Sequence, residues 1–265
     1  MNPTTRPTAL ITGASSGIGY ELAWVLAREG HDLVLVARSE NRLNELARDI
    51  QAKHQVCVKV LPQDLAQPSA PPAIFEQVRR DGLTIEVLVN NAGFGNYGPF
   101  WETDTQTELD ELQVNMVALT HLTKLFLPGM RARGRGKIMN VASTGAFQPG
   151  PLMAVYCASK AYVLSFSEAL ATELQGSGVT VTTLCPGLTE SRFHQNAEMD
   201  KGVRILHGSW MTSKQVAEMG YRALVRGQMT IVTGWQNRLL ALTPRLLPRG
   251  LTTRVVLNMM ARDAR

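Results

Sequence analysis

The stretch Leu10–Ala27, LITGASSGIGYELAWVLA, decides how the chain is read. Two readings compete for it. In one, Gly13-Ala14-Ser15-Ser16-Gly17 is a G-x-S-x-G nucleophile elbow, and Ser15 attacks an ester. In the other, Gly13, Gly17 and Gly19 shape a loop that cradles a dinucleotide, and Ser15 attacks nothing. Both put a sharp turn between a strand and a helix. Five residues cannot separate them, so the rest of the chain must.

The chain has 265 residues, 45% of them apolar and 18% charged. That fits a single large α/β domain, spanning residues 1–265, with a substantial core. No run of about 18 apolar residues occurs, which argues against a spanning helix. The N-terminus has neither the charged nor the apolar region of a signal peptide. Three separated cysteines, Cys57, Cys157 and Cys185, suggest neither a disulfide frame nor a metal site. A reducing cytoplasm is the expected home. The net charge of +5 is concentrated at one end, since Arg238 to Arg265 holds six arginines and a single acid, Asp263.

Short β-rich runs alternate with helical patterns. Strands are predicted at 8–12, 32–37, 56–61, 85–90, 137–142, 179–185 and 229–233. Helices are predicted at 18–28, 40–53, 73–80, 103–131, 154–175 and 213–226. Most of the strands are continuously apolar, as strands buried on both faces are. The alternation predicts a Rossmann-like, doubly wound fold: a mainly seven-stranded parallel sheet with helices on both faces.

In such a sheet the carboxyl ends of the strands carry the ligand. A helix N-terminus with free N–H groups suits a pyrophosphate. The elbow reading weakens, because nothing before Thr8 can supply an oxyanion loop and the five histidines form no pattern. The second strand ends Val36-Ala37-Arg38 where an acid would select a ribose 2′-hydroxyl. An arginine there pairs with a 2′-phosphate, favouring NADP(H) over NAD(H).

Tyr156 and Lys160 stand at i and i+4 on one predicted helix, and so share a face. An ammonium beside a phenol favours phenolate, which suits proton exchange near neutral pH. Ser143 follows a strand, where its hydroxyl can hold a carbonyl oxygen. Asn115 lies inside an apolar helical run, so it needs partners: backbone groups and a proton-carrying water, or a structural helix–helix bond.

These elements, in this order, resemble the short-chain dehydrogenase/reductase family. They are Thr12-Gly-Ala-Ser-Ser-Gly-Ile-Gly19, Asn90-Asn-Ala-Gly93, Asn115, Ser143, Tyr156-Cys-Ala-Ser-Lys160 and Pro186-Gly187. The likeness runs from about Thr8 to Thr233, and G-x-x-x-G-x-G is that family's form of the loop. It implies that Tyr156 is the acid/base and Lys160 its partner and ribose anchor. It implies that Ser143 polarises the carbonyl and Asn115 supports a proton-relay water. It further implies a cofactor site of Gly13, Ser15, Ser16, Gly17, Ile18, Gly19, Arg38, Asp64, Leu65, Asn91, Ala92, Gly93, Pro186, Gly187 and Thr189, joined by Tyr156 and Lys160. Asp64 would meet the adenine and Thr189 the nicotinamide side.

The segment 188–212 is the expected substrate lid, with Phe193, Met199 and Trp210 covering an apolar compound. Phe94, Tyr97, Thr144, Phe147 and Met153 are the expected opposite wall, or else packing residues. The helix at 103–131 is apolar on more than one face, so one face can cover the sheet and the other needs a partner. The family's subunits commonly pair through it, so a homodimer or homotetramer is expected. The extension 235–265 mixes Leu, Met and Arg. It lies on an anionic membrane or covers protein, and packing on the protein surface or dimer is favoured, with Pro244 and Pro248 breaking any long helix. The expected activity is NADP(H)-dependent reduction of a largely apolar ketone or aldehyde. An interaction protein that senses NADPH without turnover is the alternative, and a Ser15 esterase the remote one. The basic residues have no aromatic-lined groove around them, so no nucleic-acid partner is expected.

Overall fold

A computed structural model of the chain describes residues 6–191, 193, 197, 199, 203–208 and 210–261. Parts of the expected lid (192, 194–196, 198, 200–202 and 209) and the end of the extension (262–265) lie outside the described residues.

Seven parallel strands form one sheet: β1 (Thr8–Thr12), β2 (Asp32–Ala37), β3 (Val58–Pro62), β4 (Ile85–Asn90), β5 (Gly136–Val141), β6 (Val179–Cys185) and β9 (Thr230–Val232). Their order is β3-β2-β1-β4-β5-β6-β9. The chain reverses direction across the sheet between β1 and β4. That places a crevice at their carboxyl ends, just where Gly13 and Asn91 follow.

Helices α1 (Gly17–Arg28) and α2 (Glu40–Lys53) cover the sheet together with α7 (Ser213–Val225). Ile11, Leu22, Leu26, Leu35 and Val216 are buried there in one cluster. On the opposite face lie α3 (Ala70–Arg80), α4 (Thr105–Leu112) and α5 (Leu119–Ala132), with α6 (Ala154–Glu173) beside them. Leu10, Ile74, Leu88, Leu122 and Ile138 form the core of that side. Each fully buried leucine contributes about 1.5–3 kcal/mol, so both layers are firmly held. A polar chain also crosses the core. Asn90 Nδ2 donates to Asn140 Oδ1 (2.9 Å), and Asn140 Nδ2 donates to Ser167 Oγ (2.9 Å), which ties β4, β5 and α6 together.

Three expectations are corrected. Helix α3 begins at Ala70 rather than Ala73, because Pro71 and Pro72 fall in its first turn, where no N–H is needed. The helix expected over 103–131 is two α segments flanking a π turn, Gln113–Ala118. Leu109 and Val117 on it are about half exposed (52% and 50%).

The extension, third, forms two helices, α8 (Trp235–Leu246) and α9 (Arg249–Met260). Pro248 separates them. Pro244 sits within α8, and the carbonyl it leaves without an N–H, that of Leu240, accepts instead from Thr243 Oγ1 (2.8 Å). The short strands β7 (Thr189–Glu190) and β8 (Met211–Thr212) pair in parallel and tie together the ends of the segment between them.

Candidate active site

The glycine loop leaves β1 with Gly13 at φ +67° and Gly17 at φ +58°, a region that side chains rarely adopt. Space is as demanding as conformation. A Cβ at Gly13 would lie 2.8 Å from Asn91 Nδ2 and 2.9 Å from Ala92 Cα, and one at Gly19 would collide with Gly13 O. Thr12 locks the turn to β4, its hydroxyl accepting from Asn91 N and Ala92 N at 3.0 Å each. Asn91 Nδ2 in turn donates to Thr12 O (2.9 Å). Ser16, the N-cap of α1, makes no side-chain cap, so the first-turn N–H groups face the cleft for a ligand to take.

The cleft has a volume of about 890 Å³. Gly13, Ser15, Ser16, Gly17 and Ile18 line it, together with Arg38, Asp64, Leu65, Asn91, Ala92, Gly93, Pro186, Gly187 and Thr189. Of the expected cofactor residues, Gly19 alone stands behind the lining. Among the described residues of this cleft no histidine stands beside Ser15 as a base.

Ser143, Tyr156 and Lys160 line the same cleft. Ser143 ends the turn after β5, and its Oγ accepts from Gly145 N (3.0 Å). Tyr156 and Lys160 project from the first turns of α6. Lys160 Nζ lies 5.7 Å from the Tyr156 ring centre and donates to Val141 O (3.0 Å). Asn115 sits within the π turn, a local widening that often marks functional positions. Its Nδ2 donates to Phe94 O (2.9 Å) and Ser159 Oγ (3.0 Å), and its Oδ1 accepts from Phe94 N (3.2 Å). Gly93 passes so close that a Cβ would stand 2.9 Å from Asn115 Oδ1 and 3.0 Å from Lys160 Nζ.

On the substrate side, Phe94, Thr144, Met153, Phe193 and Met199 line the cleft, and three expected residues do not. Phe147 ends a 3-10 turn and packs instead with Leu119, Val163 and Leu164. Tyr97 turns its hydroxyl to Met260 O (2.6 Å), pinning α9. Trp210 Nε1 donates to Leu206 O (2.8 Å), which holds the ring by its own segment.

A family model described as short chain dehydrogenase matches residues 7–202. The chain belongs to the short-chain dehydrogenase/reductase family. A very-long-chain 3-oxoacyl-CoA reductase of Phaeosphaeria nodorum is 41% identical over 179 residues, which are 65% of this chain and 52% of that protein. The chain thus spans about half the length of that relative. Among solved structures, a short-chain dehydrogenase from Sphingobium yanoikuyae in complex with NADPH is 32% identical, with 98% of each chain covered and a TM-score of 0.81. The bulky-bulky ketone specific alcohol dehydrogenase from Comamonas testosteroni is 29% identical, with 99% of this chain and 97% of that one covered and a TM-score of 0.78.

The electrostatics of this short-chain dehydrogenase follow from burial. Burial dominates at both members of the pair. It pushes the Tyr156 phenol above its ordinary value, with the Ser143 hydrogen bond acting the other way. It draws Lys160 down to about 8, against the pull of Glu111. The lysine alone therefore does not make Tyr156 a phenolate. In this state Tyr156 keeps its proton.

Sequence reasoning missed four contributors. Ser39 and Arg42 join Arg38 at the cleft, Ser39 as the N-cap of α2 and Arg42 from its first turn. Glu111, fully buried one turn before Asn115, accepts from Asn96 N (3.0 Å). Burial and the neighbouring Glu108 push its carboxyl up to about 8. The C-terminal helices supply Leu240, Val255, Val256 and Met259 to the cleft.

Proposed function

We propose that the chain is an NADP(H)-dependent carbonyl reductase for a ketone or aldehyde with large apolar substituents. The observation that carries this reading is the convergence of Ser143, Tyr156 and Lys160 on the cleft that also holds the glycine loop. The residues present fit a dinucleotide: Gly13, Gly17 and Gly93 line the cleft without a side chain, where a Cβ would press on Asn91, Ser191 and Asn115, and no side chain caps α1. Arg38 and Arg42 suit the extra phosphate of NADP(H). When bound, the reduced nicotinamide supplies the hydride.

The remaining work belongs to the chain. Ser143 donates to the carbonyl oxygen and holds it at Tyr156. Tyr156 gives that oxygen its proton as the alcohol forms. Lys160, cationic below its value of about 8, stabilises the phenolate left behind. Asn115 fixes the Phe94 backbone beside the lysine. The segment 188–212 acts as a lid, with Phe193 and Met199 excluding water. The apolar lining, together with a relative named for long 3-oxoacyl thioesters and a neighbour named for bulky ketones, supports a ketone carrying at least one long or bulky apolar arm. Exposed Leu109 and Val117 offer a face on which two copies pair.

The test is NADPH oxidation across ketones, aldehydes and 3-oxoacyl thioesters. Turnover of the bulkier apolar members supports the reading. Tight NADPH binding with no oxidation by any compound would overturn it in favour of a nucleotide-sensing protein.

A further inference from the structure

Helices α8 and α9 have two unlike faces. On one, Thr252, Val256 and Met260 recur every four residues and are buried. Val256 and Met260 meet Met153, Cys157 and Met199, which anchors α9 to the fold. The other face is open. Trp235 is 70% exposed, and Leu239, Leu242, Leu251 and Leu257 are each about half exposed. Such residues scattered singly mean little, but here they lie together on two consecutive helices. Leu240, Leu247, Val255 and Met259 are exposed as well, yet they also line the cleft. An apolar surface therefore runs from the outside of the chain into the site.

Its charge is one-sided. Residues 235–261 include four arginines and no aspartate or glutamate. Arg238, Arg249 and Arg254 are exposed among the apolar side chains. Two copies of this face brought together would oppose arginines with no acid to pair them, at a cost that apolar contact must overcome. A partner that is apolar in depth and anionic at its surface meets both features. Among the described residues no helix is long and apolar enough to cross a membrane, so these helices would lie along the surface rather than span it.

We propose that α8 and α9 seat the chain on an anionic lipid bilayer, with the cleft mouth turned to the lipid so that an apolar substrate enters from it. The seating does not depend on the reductase reading, whereas delivery of substrate rests on it.

The full chain is mixed with vesicles of phosphatidylcholine, with and without phosphatidylglycerol, and binding is read by flotation. Binding is expected to be stronger on the anionic vesicles and to weaken with salt. Arg249→Gln with Arg254→Gln should reduce it roughly 30-fold, at about 1 kcal/mol per arginine near the surface. Trp235→Ser with Leu239→Ser and Leu242→Ser should abolish it. Neither set touches the cleft, so both should retain turnover of a water-soluble ketone. The first set should lose turnover of a long-chain ketone held in anionic vesicles. Equal binding of parent and both variants, or none by the parent, overturns the seating. A smaller oligomer of the serine variant without lipid also overturns it, by assigning the face to a second copy. Vesicle binding with no turnover of any ketone leaves the seating intact and removes the reductase reading instead.

Discussion

The Phe193 ring lies against that of Tyr156, with centroids 5.0 Å apart and planes at 50°. Gly95 fits beneath the pair, since a Cβ there would stand 2.9 Å from Tyr156 Cδ2 and 3.1 Å from Phe193 Cζ. The expected acid is thus covered by a residue of the 188–212 segment. Phe193→Ala should raise KM for bulky apolar ketones about 10-fold, from a lost aromatic contact of roughly 0.5–1.5 kcal/mol plus lost apolar burial. Small ketones should be affected less. Steady-state kinetics on a size series would show it, and an equal effect at all sizes would remove Phe193 from the substrate side.

Arg38 lines the cleft, and in the proposed reading it meets the 2′-phosphate of NADP(H). Losing a hydrogen bond to a charged group costs about 1.5–3 kcal/mol, or roughly 10–100-fold. Arg38→Ala should raise KM for NADPH by that factor and leave KM for NADH nearly unchanged. Arg42, at the same end of the cleft, limits the loss. Paired KM values for the two nucleotides are the measurement, and parallel changes would count against a 2′-phosphate contact.

Glu111 makes stability depend on pH. Its carboxyl, ordinarily near 4.5, is held at about 8 in the fold. Between those values the folded chain keeps a proton that the unfolded chain has released. Stability therefore falls as pH rises through that window, with a slope of up to ~1.4 kcal/mol per pH unit. Glu111→Gln should flatten this slope and gain stability above pH 8. Urea unfolding at a series of pH values checks it, and an unchanged slope would place the ionisation elsewhere.

Leu109 and Val117 stand open on the helix that was expected to need a partner for its second apolar face. If two copies pair there, Leu109→Arg with Val117→Arg should halve the mass seen by light scattering. The same mass in parent and variant would move the contact to another face.

Legibility in the sequence followed locality. The glycine loop, the strand runs and the Tyr156–Lys160 spacing could be read because one or two turns of chain fix their geometry. Ser143 followed from its place at a strand end, and Asn91 from the family resemblance. Tyr97 and Phe147 could not be assigned, since each sits near the cleft in sequence and is turned away by a distant partner. For Tyr97 that partner is Met260, 163 residues on. The π turn left no trace, because Gln113–Ala118 keeps the apolar pattern of the helix around it. The two C-terminal helices were hidden behind their prolines, although Thr252, Val256 and Met260 carried a four-residue period. The burial that raises the Tyr156 phenol could not be read either, since spacing reveals a nearby lysine but not what covers the pair.

The central claim is that Tyr156 delivers a proton to an oxygen whose carbon receives hydride in the same cleft. NADPH deuterated at C4 on the transferred face, incubated with a bulky ketone, tests it by mass spectrometry of the alcohol. One deuterium on the carbinol carbon is expected from the parent. Tyr156→Phe should bind the nucleotide as tightly yet form labelled product about 100–10,000-fold more slowly, the usual worth of a general acid. Labelled alcohol formed by that variant at the parent's rate would contradict the account.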